Sequence, residues 1–361
     1  MMARNSTTRD ASSPGVGTAG RSATLALAGD VMLGRLVNET LLKRGWGHAW
    51  GDLAPVQWSA DAFLINLECA ITSHEEQWHD GAYKPFHFRA DPLAVQTLRL
   101  GRVDFAALAN NHIGDFGSVG MLETIALLDR HGIAHAGAGR DLATAAVPAM
   151  LTVRGLRVAV LACADYPEAW AADDSTPGMY FVRVASDDAS FAALASRIAA
   201  ARATADLVVF CMHWGPNLRE RAPEEFRRFA HRVIDAGATI FWGHSAHVVQ
   251  GIEMRPPAVI LYDTGDYVDD YAVHPHVRND LGALFLLSVS AHAVQRVRLL
   301  PVRIDHRQVN RAVGPDRSWF LDRLERLCGE LGTALVPDAD GTVAVTSAPR
   351  LLPHLAASRN V

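Results

Sequence analysis

The feature that most constrains this chain is repeated along it: short apolar runs that stop abruptly on chemically active side chains. The clearest is Phe105-Ala-Ala-Leu-Ala-Asn-Asn-His-Ile-Gly-Asp-Phe-Gly117. Strand-like apolar character ends there at Asn110-Asn111-His112. Asp115 and two glycines follow, and helical character begins near Ser118. Amides, an imidazole and a carboxylate at the end of a buried strand need partners once they leave water, so packing alone does not explain them. The same arrangement recurs where residues 24–28 run into Asp30, 61–66 into Asn66 and Glu68, and 207–212 into His213. Residues 238–242 likewise run into His244 and His247, and 258–262 into Asp263 and Asp266. In open α/β sheets, ligands sit in the loops at the carboxyl ends of strands.

Helical spacing fills the intervals. Residues 35–44 end at Gly45, a usual C-cap. Asp91-Pro92 opens a helix with a cap and an N1 proline, and Gly101 ends it. Residues 118–131 put Met121, Leu122, Ile125 and Leu128 on one face. Further helices are expected over 186–203, 223–236 and 318–330. Residues 149–153 and 156–163 read as a hairpin about Arg154-Gly155, later strands fall near 284–289 and 294–302, and a hairpin-like end surrounds Asp340-Gly341. This alternation predicts an α/β fold with a second, partly antiparallel sheet. Parallel strands in one sheet would line the polar ends up along one edge.

Composition narrows the function classes. A net charge of −5 argues against nucleic-acid or anionic-membrane binding, which would need a basic face. The four cysteines are widely spaced in apolar surroundings with no C-x-x-C pair, so buried free thiols and a reduced, cytoplasmic setting are expected. Residues 1–22 are rich in Ser, Thr, Gly and Ala without an apolar h-region, which predicts a disordered arm rather than a secretory signal. No apolar stretch reaches the roughly 18 residues of a membrane span, so direct membrane insertion is not expected.

Asp30, Glu68, Asn111, His213, His244 and His247 together form a workable ligand set for two divalent ions. Mixed nitrogen and oxygen ligation suits Mn, Zn or Fe better than Ca or Mg. A pair of such ions activates water and clamps an oxyanion. Other residues read two ways. Arg35 is either a clamp for an anionic substrate or a partner of Asp30 or Glu68. Asp115 either orients His112 or caps the next helix. Asp266 either lines the site or serves ordinary turn chemistry. Trp214, Trp242 and Cys211 read as packing.

Gly29-Asp-Val-Met-Leu-Gly-Arg35, Asn66-Leu-Glu68, Ala109-Asn-Asn-His112 with Asp115-Phe-Gly117, His213-Trp-Gly215 and Gly243-His-Ser-Ala-His247 resemble the CapA family. These are poly-γ-glutamate capsule-synthesis proteins, a branch of the calcineurin-like metallophosphoesterases. Over residues 24–310 the resemblance implies a four-layer α/β/β/α sandwich with two mixed sheets and a dinuclear metal site. Residues 23–312 would form that domain, with 313–361 as a helix-and-hairpin extension packed on it. The resemblance makes Asp30 the first-strand ligand, Glu68 the second carboxylate, Asn111 the amide ligand and His213, His244 and His247 the later ligands. It makes His112 the imidazole that protonates a leaving group. Met32 stands where the wider superfamily has a histidine, Asn66-Leu67-Glu68 replaces Gly-Asp-x-x-Asp, and two residues rather than one separate His244 from His247. A plain phosphomonoesterase is therefore not implied.

The function expected is a hydrolase or transferase working on an anionic or peptide-like substrate, poly-γ-glutamate among them, beside a ligase-type synthase. The alternatives are a non-catalytic accessory subunit and a soluble tailoring enzyme of small-molecule biosynthesis.

Overall fold

The computed structural model describes residues 21–79, 84–184 and 188–348. Apart from Arg21 and Ser22, the N-terminal segment expected to be a disordered arm lies outside the described residues, and Ser22 already opens a strand. Two large sheets dominate. The first has ten strands and is centred on Ser22–Val31 and Leu281–Ser290, which pair antiparallel. On the other side of Ser22–Val31 the parallel neighbours run in order Ala62–Leu67, Phe105–Ala107 and Ala134–Ala136. The second sheet has six strands. Leu156–Ala164, Leu207–His213, Ile240–His244 and Ala258–Leu261 lie parallel in that order, and Ala149–Val153 and Ile252–Arg255 close its edges antiparallel.

Strand periodicity explains the layering. Alternate residues point to opposite faces of a sheet. Leu25, Leu27, Leu64 and Phe285 of the first sheet share one core with Val160, Val209, Ile240 and Leu261 of the second. Their neighbours Ala26, Phe63, Ile65 and Leu284 face a second core with Val37, Leu41, Leu98 and Leu128 of the flanking helices. Leu161, Val208, Phe210 and Phe241 face a third, against Phe191, Ile198, Phe229 and Val233. The result is a four-layer α/β/β/α sandwich. Both sheets are buried on both faces, and the parallel strands accordingly read as continuous apolar runs rather than alternating ones.

Local rules place most helix ends. Arg35–Arg44 stops at Gly45 in a positive-φ conformation, and Gly117–Arg130 and Glu224–Asp235 fall close to their expected spans. Asp91 does cap, its side chain accepting from Leu93 N, but it opens a 3-10 turn before the helix Val95–Leu100. The apolar run that ends at Asn110 forms a strand only over Phe105–Ala107. The helix Gly314–Gly329 buries Phe320, Leu324 and Cys328 in the inter-sheet core, which Val343 and Val345 of the following hairpin also join. No described helix is long and apolar enough to cross a membrane.

Two glycines let the site form. A Cβ on Gly29 would lie 1.7 Å from the Gly265 carbonyl oxygen, and one on Gly243 would lie 2.0 Å from that of Tyr262. Each glycine directly precedes a predicted ligand, Asp30 or His244, at a point where two backbones nearly touch. The obstacle is backbone and cannot swing aside. Gly29→Ala is expected to cost about 1–3 kcal/mol, the usual range for overpacking. It should lower the urea midpoint of the purified protein, and an unchanged midpoint would contradict this contact.

Candidate metal centre

The strand register sets the site. In the first sheet Asp30 lies beside Asn66 on one neighbouring strand and beside Asp266 of Asp266–Val268 on the other. In the second sheet His213 pairs directly with His244. The polar ends therefore come from two facing sheets, not from one edge as the strand pattern alone suggested. The sandwich is what joins them.

Two ligand groups result. Asp30, His213 and His244 form one; Asp30, Glu68, His247 and Asp266 form the other; within each, the candidate ligand atoms lie within 4.8 Å of one another. Asp30 belongs to both. Its Oδ1 is 3.5 Å from His244 Nδ1 and its Oδ2 is 3.4 Å from His247 Nδ1. His213 Nδ1 and His244 Nδ1 converge to 2.8 Å, while the far nitrogen of His244 lies 3.0 Å from Cys211 Sγ. His247 Nδ1 is 2.8 Å from Asp266 Oδ1. Ser245 and His247 both take left-handed backbone, which lets this short turn aim His244 and His247 into different groups.

The donor set fits divalent cations. Asp30 Oδ2, Glu68 Oε1, Asn111 Oδ1 and Asp266 Oδ2 are all buried oxygens without a hydrogen-bond donor. Buried carboxylate oxygens left so are costly unless a cation supplies the missing partner. Five of the six expected ligands thus lie in the two groups. Asn111 stands outside both, its Oδ1 unpartnered and its main-chain carbonyl accepting from Lys84. Asp266, which turn chemistry could have explained, joins the cluster. Its sequence signal was an aspartate in register beside Asp30, visible only once the strand pairing is known.

Other polar residues support this arrangement. Asn66 donates to Asp30 Oδ1 at 2.8 Å, Asn110 donates to Asn66 Oδ1, and Asn110 Oδ1 accepts from His112 N. Tyr271 donates to Glu68 at 3.2 Å. Asp263 accepts from Ala246 N and Gly265 N, so it ties the two loops together. Asp115 lies 2.7 Å from His112 Nδ1, and the helix Gly117–Arg130 has no side-chain cap, so Asp115 orients the imidazole. Arg35 pairs with Asp270 at 3.4 Å, not with Asp30 or Glu68. Trp214, Trp242 and Cys211 are core.

A cavity of about 340 Å³ opens beside the cluster, lined by Arg35, Phe86, Phe88, His112, His247 and Tyr271 among others. A larger hollow of about 520 Å³ lies at the opposite, amino ends of the second sheet's strands. Arg255 pairs there with Asp235, Arg202 donates to His292, and no ligand cluster lies among its described lining residues.

Electrostatics match this geometry. Burial lowers His213 and His244, the latter to about 4, so both are neutral and able to donate lone pairs. Burial alone would also lower His247, but the Asp266 and Glu68 carboxylates override it and raise the imidazole well above its ordinary range. Burial and the Asp30 charge raise Glu68. Burial would raise Asp30 as well, yet contact with His247 holds it low. Without metal, the His247 imidazolium is thus the counter-ion of the cluster.

Raised groups stabilise the fold below their unfolded values and lose that contribution as pH climbs through the folded ones. The lowered histidines act in the opposite sense, but only below 6.5. In EDTA, thermal unfolding should therefore shift to lower temperature as pH rises from 6.5 to about 9. Added Mn²⁺ should abolish or reverse this fall, and a flat profile in EDTA would argue against the charge assignment.

The chain matches the family described as bacterial capsule synthesis protein PGA_cap over residues 24–271. It is 32% identical over 374 aligned positions to a probable polyglutamine synthesis accessory protein of Mycobacterium tuberculosis, covering 91% of this chain and 97% of that one. It is 27% identical to the capsule biosynthesis protein CapA of Bacillus anthracis, over 68% of this chain and 60% of that one. A 5'-nucleotidase from Candida albicans overlaps loosely, with a TM-score of 0.40 at 10% identity, covering 87% of this chain and 59% of that one. With its family match, its full-length relative and its two-sheet sandwich, the chain belongs to the CapA (PGA_cap) family of capsule-synthesis proteins.

Proposed function

We propose that this CapA-family protein is a metal-dependent hydrolase acting on an anionic or peptide-like substrate in poly-γ-glutamate or capsule biosynthesis, beside a ligase-type synthase. The observation that carries the reading is the buried Asp30 carboxylate, which is common to both candidate ligand groups. Asp30, His213 and His244 would hold one ion, and Asp30, Glu68, His247 and Asp266 the other, with Asn111 as a further oxygen donor. When bound, divalent cations in such a set supply Lewis acidity and a nucleophilic water at neutral pH. The nitrogen and oxygen donors suit Mn, Zn or Fe.

The protein's own residues handle the proton and the substrate. Burial, helped by the Lys84 ammonium, holds His112 well below its ordinary value and keeps the ring neutral. Asp115 is pushed by burial to about 7 and is ionised above neutral pH, where it accepts the Nδ1–H of His112. Nε2 is then free to take a proton from the attacking water and pass it to the leaving group. Phe88 stacks on this ring at 3.8 Å between centroids and fixes its plane. Arg35 offers a cation at the cavity mouth.

One finding favours a second reading. The M. tuberculosis relative is named an accessory protein, which fits a subunit that binds metal or polymer without turnover. Metal analysis together with assays on p-nitrophenyl phosphate, its bis ester and γ-glutamyl peptides separates the two. His112→Ala is expected to lower kcat by roughly 100- to 10,000-fold with metal content unchanged. Turnover indifferent to both His112→Ala and Asn111→Ala would sink the catalytic role, and stoichiometric metal with no turnover would favour the accessory one.

A further inference from the structure

The cavity beside the cluster has a chemistry of its own. Phe86 and Leu218 are large apolar side chains on its wall, yet they are 53% and 39% exposed. Leu218 is held there in left-handed backbone, a conformation a leucine seldom adopts. Phe88 stacks on Tyr271 with centroids 5.6 Å apart, so the deeper wall is a continuous aromatic ledge that begins at His112.

Charge is scarce by comparison. Arg35 is the one lysine or arginine among the described lining residues. Its guanidinium sits 5.3 Å and 5.5 Å from the Phe86 and Phe88 ring centroids, and Asp270 already offsets part of its charge. Lys84 and Arg89, on the same loop as the phenylalanines, are committed to Asp115 and Glu75. A run of consecutive carboxylates would need a cation for each one it desolvates. Away from the ligand cluster, one partly neutralised arginine beside apolar walls supplies only one such partner. The volume, about 340 Å³, is also near the lower end of small-molecule sites.

We infer that this cavity binds a small peptide-like acyl compound or chain end carrying one carboxylate and one aromatic or branched apolar group, not an internal stretch of polyanion. The carboxylate pairs with Arg35, the apolar group lies against Phe86, Phe88 and Leu218, and the acyl bond is left facing His112. This deepens the hydrolase reading by naming the substrate class, and it rests on that reading only for the chemistry after binding.

The test is equilibrium binding to the full-length, Mn²⁺-loaded protein by calorimetry, with metal content measured for every variant. The probes are N-benzoylglycine, its neutral amide, and tri-γ-glutamate. N-benzoylglycine is expected to bind roughly five- to tenfold more tightly than tri-γ-glutamate, the range an aromatic contact supplies. Phe86→Ala should remove that preference and Phe86→Leu should keep part of it. Arg35→Ala should weaken N-benzoylglycine but not its amide. Tri-γ-glutamate binding as tightly as N-benzoylglycine overturns the inference, as does a preference unchanged by Phe86→Ala, or no binding of either probe. Binding is read without turnover, so a protein that binds the probe as expected but hydrolyses nothing would end the hydrolase proposal and leave this one standing.

Discussion

A buried carboxylate with too few donors around it organises this protein. Asp30 is 1% exposed and receives one side-chain hydrogen bond, from Asn66, while its second oxygen receives none. An ion in that position costs several kcal/mol unless a positive charge stands close by. The fold answers by bringing two imidazoles of the second sheet to one side of it and His247 with two more carboxylates to the other. A positive charge beside Asp30, such as the His247 proton, is therefore a structural requirement of the sandwich.

That requirement reaches outward through hydrogen bonds. The path from Asp30 through Asn66 and Asn110 to the His112 main chain runs across three successive strand ends, so ligand geometry and the orientation of His112 are set by one connected network. On the other side, Cys211 lies against the far nitrogen of His244 and leaves Nδ1 facing Asp30. Networks of this kind rigidify a site when every member is satisfied. Here the unsatisfied members are the oxygens a metal would meet.

The cavity qualifies what family membership implies. Relatives are named for capsule and polyglutamine synthesis, yet among the described residues the walls beside this cluster are aromatic with a single arginine. Phe86 and Phe88 come from the segment that connects Ala70–Ile71 to Arg89–Ala90, and connecting segments are the part of a fold that most readily varies.

Much was legible in the sequence because it is local. The apolar runs ending on Asp30, His213 and His244, the cap at Asp91 and the helical stripe through Met121 and Leu128 follow from short-range sterics and period. Five of the six expected ligands were named from such local signals, and the sandwich brings them into the two groups. The sequence did not determine that the polar ends belong to two facing sheets, because sheet partnership depends on non-local contacts, from Val209 beside Ile240 to Asp30 beside Asp266. It did not separate the two meanings of Asp266 or of Asp115, because an aspartate in a turn looks the same whether it caps, orients or ligates. Only the register that sets Asp266 beside Asp30, and the packing that brings Asp115 to His112 Nδ1, decided where those carboxylates stand. Residue chemistry is fixed along the chain; which buried charge faces which is fixed by the fold.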